Sequence, residues 1–222
     1  MLVSSENFAN GLGLDIHLRT TIRDDWSYIS AAALRIGTDI LEVHSYGKYY
    51  LNGEENAPLP KTFAGFQFSR RVQKRRPDRF IIFTDQGMME IRVFHDFVSV
   101  HIQDPTAEGF GDSVGLMGGF GTGAWLLRDG ETMTRDPNAF GSEWQVRDDE
   151  NQLFVEDGPV KYPEACRLPV AVTEEGRRRL EESSVTMEMA EEACKHWIED
   201  KDVCIEDVLR TGDIDIALAG AY

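Results

Sequence analysis

Polarity alternates with a two-residue period over most of the first hundred residues. Leu12, Leu14, Ile16 and Leu18 are apolar, whereas Gly13, Asp15, His17 and Arg19 between them are not, which predicts a strand with one buried face. Ile29, Ala31 and Ala33 continue the pattern after Trp26, and short apolar runs follow at residues 40–43 and 49–51. Asn52-Gly53 closes that series with a tight-turn signal, because both residues tolerate positive φ. Phe66 and Phe68 alternate, Phe80 to Phe83 is continuously apolar, and Asp85-Gln86-Gly87 reads as a turn. Met89, Ile91 and Val93 point one way and Glu90 and Arg92 the other; beyond His95-Asp96, Val98, Val100 and Ile102 alternate with Ser99, His101 and Gln103. Short strands at close spacing predict a mainly β fold of stacked antiparallel sheets, sandwich-like, with helical periodicity absent before residue 173.

Past Trp144 the pattern changes. Residues 147–172 are polar and carry Asp157-Gly158-Pro159, Pro163 and Pro169, the composition of a linker or wrapping loop. Thr173 can cap a helix to about Ser183, and Thr186 can cap a second with Met187, Ala190, Cys194 and Trp197 at helical spacing. A third would hold Cys204, Val208 and Leu209. The chain therefore divides into a β domain over 1–146, a linker over 147–172 and a small cysteine-bearing helical segment over 173–222. Cys194 and Cys204 fall on successive helices joined by a turn near Asp200-Lys201, an arrangement that allows a disulfide in an oxidising compartment. Cys166 is the odd thiol.

With 222 residues, 41% hydrophobic and 28% charged, the chain can bury a core without cross-links and is neither disordered nor membrane-like in composition. No apolar run reaches the length of a membrane span. Residues 1–10 lack a basic patch followed by an apolar stretch, so no secretory signal is visible there. A net charge of −16 repels phosphate backbones and argues against a nucleic-acid partner. The local exception, Arg70, Arg71, Lys74, Arg75, Arg76 and Arg79, is expected to be a solvated hairpin loop.

Candidate chemistry is sparse. Gly111-Asp112-Ser113-Val114-Gly115 matches the pattern of a serine nucleophile on a sharp strand-to-helix turn, with His95 or His101 as a conceivable base. The following residues, including Gly118, Gly119, Gly121 and Gly123, are too glycine-rich to open the helix that such a turn requires. Gly119, Gly121 and Gly123 match neither a dinucleotide fingerprint nor a P-loop, which leaves close backbone packing as their expected role. The five histidines form no metal-ligand pair, and His17 and His101 are expected on solvated strand faces. A glycan-binding surface would need Trp26, Tyr28, Tyr49 and Tyr50 exposed in a row, whereas such aromatics are more often core and are expected there.

The run from Asp96 to Val146 carries the most recognisable pattern. Residues 97–102, Val114-Gly115-Leu116-Met117-Gly118-Gly119-Phe120, Asp129-Gly130-Glu131 and 138–146, including Phe140, Gly141 and Trp144, resemble the closing half of a von Willebrand factor type D domain. Residues 40–43 and 49–53 resemble that family's strand pair ending in Val-Asn-Gly, and Cys194 and Cys204 its trailing helical segment. Met117 stands where the family has a structural cysteine, and Gly119 and Gly121 where its calcium loop offers side-chain oxygens. The resemblance thus implies a divergent member with a degenerate calcium site and no other cofactor. It also implies an extracellular or cell-surface setting, a non-catalytic role in adhesion, assembly or matrix formation, and protein or glycan partners, self-association included. A serine hydrolase using Ser113 is the alternative from another class.

Overall fold

The computed structural model describes residues 1–23, 26–72, 77–147, 149–155, 184–197 and 201–219, with main chain alone at 22, 23 and 26. Cys166, the helix expected over 173–183 and most of the expected 147–172 linker lie outside the described residues. The chain groups into two compact units, one of residues 1–21 and 28–167 and the other of 22–27 and 168–222.

The larger unit is built on two antiparallel meanders, one of six strands and one of five. The first runs in chain order through β1 (Val3–Ser5), β2 (Leu14–Arg23), β3 (Trp26–Ile36), β4 (Asp39–His44), β5 (Tyr49–Leu51) and β6 (Glu54–Glu55). Its last hairpin turns on Asn52 and Gly53, at φ 51° and 85°, the positive pair that a type I′ turn demands and that Asn-Gly supplies at least strain. The second sheet comprises β7 (Thr62–Phe63), β8 (Phe66–Arg71), β9 (Asp78–Thr84), β10 (Gly87–Val93) and β11 (Val98–Gln103), again in sequential order. The fold is mainly β, as the alternation predicts.

Register explains the core. Phe68 lies opposite Ile82, Ile82 opposite Met89 and Met89 opposite Ile102, so one apolar row crosses the second sheet. Phe80, Ile91 and Val100 form the next row. These pack in one cluster with Ile16, Leu34, Leu41 and Val43 of the first sheet, and Tyr49 meets Phe80 across the layer with ring centroids 5.4 Å apart. Arg70 ends a row, its guanidinium 5.0 Å from the Phe80 ring and hydrogen-bonded to Asp78 at 2.6 Å.

The polar faces are not solvated as alternation predicts. On the first sheet, His17 and Glu42 are buried; Ala31 and Ala33, expected on the core side, instead pair with His44 and Glu42 on this outer face, while Ala32, Leu34 and Ile36 enter the core. Residues 149–155 lie against this face: Val155 N–H donates to Glu42 at 2.7 Å, and Arg19 stands 4.4 Å over the Phe154 ring. Arg128 anchors this strap, donating to the carbonyls of Glu143 and Gln145 at 2.7 Å each and pairing with Glu150. On the second sheet Glu90 is fully buried between Arg79 and Arg92. Burial pushes its carboxyl up, but hydrogen bonds and positive charge from both arginines outweigh this and hold it below the usual carboxylate range. Of the expected solvated basic loop, Arg70 and Arg79 are instead paired strand residues, because carboxylates face them; Lys74, Arg75 and Arg76 lie outside the described residues.

Short helices interrupt the β unit where none was expected. They are α1 (Phe8–Gly11), α2 (Ala107–Phe110) and α3 (Pro137–Glu143). Asp136 accepts from Asn138 N–H and Pro137 follows it, a cap and first-turn proline that start α3 by purely local chemistry.

The smaller unit contains α4 (Met187–Ala193), α5 (Lys201–Thr211) and α6 (Asp215–Ala219). Thr186 caps α4 by accepting from Met189 N–H. The second expected helix thus stops before Trp197, and α6 is an addition to the predicted elements. Cys194 and Cys204 are joined by a disulfide with a Cα separation of 6.0 Å. Around it pack Ala190, Val208 and Ala217, and Trp197 donates to the Ala217 carbonyl at 2.9 Å. Among the described residues the buried set around this link is small, and a small core depends on its cross-link. Replacing both cysteines with serine should cost this unit about 3 kcal/mol, the chain-entropy value for so short a loop. Thermal unfolding by circular dichroism should then show helix signal lost well below the transition of the sheets; a single unshifted transition would refute this.

Candidate functional site

The residues singled out around Ser113 form a junction between backbones. α2 precedes Ser113, whose N–H donates to the Phe110 carbonyl at 2.9 Å, and Val114 follows it in a bridge to Ser4 of β1. A nucleophile turn needs a strand before the serine and a helix after it; here the order is reversed. Asp112 is also committed: it accepts from Ser5 Oγ at 2.6 Å and from the N–H groups of Glu6 and Asn7 at 3.0 Å each. Among the described residues, no histidine hydrogen-bonds to Ser113. His101 Nε2 lies 3.0 Å from Ser99 Oγ, and His95 sits 3.4 Å from Asp96 with its ring edge-on to Tyr46.

Of Gly119, Gly121 and Gly123, expected to mark close backbone packing, only Gly119 is crowded, a Cβ there standing 3.0 Å from the Leu126 side chain; backbone approaches closely at Gly115 and Gly118 instead. A Cβ on Gly115, at φ 135°, would stand 2.3 Å from the Leu2 carbonyl oxygen, and one on Gly118, at φ 77°, 2.9 Å from that of Ala124. Gly121 and Gly123 meet nothing within 4 Å and serve the turn alone. Of the other residues carrying the resemblance, Phe140 and Trp144 are buried, whereas Leu116 is exposed. Phe140 stacks on Trp125 at 5.3 Å, and Trp144 Nε1–H donates to the Leu126 carbonyl at 3.0 Å. Phe120 packs against the main core, and Gly141 lies within α3 with open space around it.

Calcium does not fit the acidic turn. Asp129 accepts from the N–H groups of Glu131 and Thr132 and from Thr132 Oγ1 at 2.5–2.9 Å. Those hydrogen bonds hold its carboxyl below the ordinary value and commit both oxygens, while Gly119 and Gly121 supply no side-chain oxygen; a calcium ion needs six or more. Among the described residues no cluster of three or more histidines, cysteines or carboxylates could hold a metal. No protein-family model matches the chain, and no curated protein matches it closely enough to count as a relative. The resemblance to the type D domain therefore rests on the residues named above.

Tyr49 and Tyr50 are buried, the core role expected of them, so they form no row of sugar-stacking rings; Tyr28 stacks on Phe97 at 5.9 Å, and the Trp26 side chain lies outside the described residues. One expectation about a polar group needs correction. His17 is buried instead of solvated, because the strap at 149–155 covers its face.

Exposed apolar side chains point to surfaces in place of clefts. Met187 and Met189 of α4 are 55% and 40% exposed. Beside them a groove of about 630 Å³ is lined by Met187, Ile205 and Leu209 with Glu191, Asp202, Glu206 and Arg210. Across α4 a second groove, of about 820 Å³, includes Met189 and Ile214 with Glu188, Glu192, Lys195 and Lys201. Helical spacing accounted for Met187 alone, and Met189 carried no expectation. The available signal was the mixture of Met187 and Met189 with Glu188, Glu191 and Glu192, too many carboxylates for a buried stripe.

Two stability measurements follow. Gly115→Ala should cost about 2–4 kcal/mol because a methyl meets backbone that cannot yield, whereas Gly121→Ala, in open space, should cost about 1 kcal/mol; equal costs by urea unfolding would contradict the close approach. Burial lowers the His17 pKa from 6.5 to about 4, so the unfolded chain binds a proton between those values that the folded chain refuses. Stability is thus complete above pH 6.5 and falls by about 3 kcal/mol as pH drops to 4. His17→Gln should lack that part of the slope, and an unchanged slope would show that His17 is not buried neutral.

Proposed function

We infer that the protein is a non-catalytic assembly or adhesion module of the extracellular or cell-surface type, acting through contacts with other proteins. The observation that carries this reading is the exposed pair Met187 and Met189 beside the open grooves of the small unit; adaptable apolar side chains edging a groove favour a contact surface. The Cys194–Cys204 disulfide supports an oxidising compartment. The resemblance to the von Willebrand factor type D domain agrees with both, and it supplies the expectation of self-association among the protein contacts. Protein partners are favoured over glycans because Tyr49 and Tyr50 are withdrawn into the fold.

The hydrolase alternative draws on Ser113 alone, and its neighbours are committed elsewhere. Exposure of the purified protein to a fluorophosphonate probe should leave it unlabelled. Labelling that disappears in a Ser113→Ala variant would overturn the non-catalytic reading.

A further inference from the structure

The groove between α4 and α5 has a specific composition. Its apolar floor is Met187, Ile205 and Leu209, and its rim sets Glu191, Asp202 and Glu206 against Arg210. On the other side of α4 the second groove repeats the theme, with Glu188, Glu191 and Glu192 beside Met189, and with the Lys195 ammonium taken up by Glu192. Met187 and Met189 therefore form a soft ridge between two furrows, the first edged mainly by carboxylates and the second by carboxylates with Lys195 and Lys201. Methionine on an open surface adapts its unbranched side chain to an incoming apolar face, and a carboxylate rim selects for cations around that face.

We propose that this acidic, methionine-edged groove docks a basic amphipathic helical segment of a partner protein. The apolar side chains of that segment lie on Met187, Ile205 and Leu209, and its lysines or arginines face Glu191, Asp202 and Glu206. The scale is suitable, since α5, at 11 residues, is about 16 Å long and matches three turns of a partner helix. The proposal rests on the reading of the protein as a protein-contact module and names the chemistry of what it contacts.

The test is fluorescence anisotropy with the full chain and a labelled leucine-lysine amphipathic peptide of about 14 residues, long enough to cover the groove. Binding should be saturable and weaken about tenfold between about 50 and 300 mM salt, since screening acts on exposed charge. Reversing the rim with Glu191→Lys and Glu206→Lys should weaken it about tenfold at low salt, whereas Glu54→Lys with Glu131→Lys, the same charge change on the larger unit, should shift it less than about twofold. Met187→Gln, at an exposed position that the fold tolerates, should weaken it about fivefold. Equal losses from the two double variants would reduce the effect to the chain's overall negative field and overturn the proposal. So would equal binding of a leucine-glutamate peptide, an absence of binding, or sedimentation showing that Met187→Gln dissolves a self-association of the chain. These results bear on the groove; only probe labelling at Ser113 bears on the non-catalytic reading, so the two fail separately.

Discussion

One apolar layer, shared by two sequential meanders, sets the position of everything else in the larger unit. Ile82 and Met89 from one sheet and Leu34 and Leu41 from the other are in that layer because each strand places every second residue there. A slip of one residue would bring Glu90 and Glu42 into the apolar space and expel Ile91 and Val43. Both carboxylates are nevertheless buried, on the opposite faces, and each is matched: Glu90 by two arginines, Glu42 by a backbone N–H and His44. A buried charge left alone would cost several kcal/mol, so these pairings fix the register from outside as the apolar rows fix it from within.

The strands were legible because their determinants are local. Alternation at 87–93 and 98–103 and the Asn52-Gly53 turn each need only neighbouring residues, and each element stands where they place it. The disulfide was legible for the same reason, since ten residues and one turn separate the two cysteines. Helix α3 announced its start in Asp136-Pro137 but is too short to show a period. The burial of His17 and Glu42 was not legible, because the residues that cover them come from 149–155, more than a hundred positions away. Alternation separates the two faces of a strand; it does not say which face stays wet.

The candidate site shows the same division. Glycine density pointed to packing at Gly119, Gly121 and Gly123, but the close backbone approaches are at Gly115 and Gly118, because which backbone a glycine meets depends on the fold. The dismissal of a serine nucleophile rested on the residues after Ser113, and the geometry adds the stronger reason that the helix lies before it. The groove on the small unit needs α4 and α5 brought side by side, and the Cys194–Cys204 link does that.

Strand β6 carries a consequence for life at high concentration. It is only two residues long, and both are exposed glutamates. A foreign β segment arriving at that margin would find two residues of ladder and a pair of like charges, too little to template fibril growth. The first sheet is thereby terminated on that side.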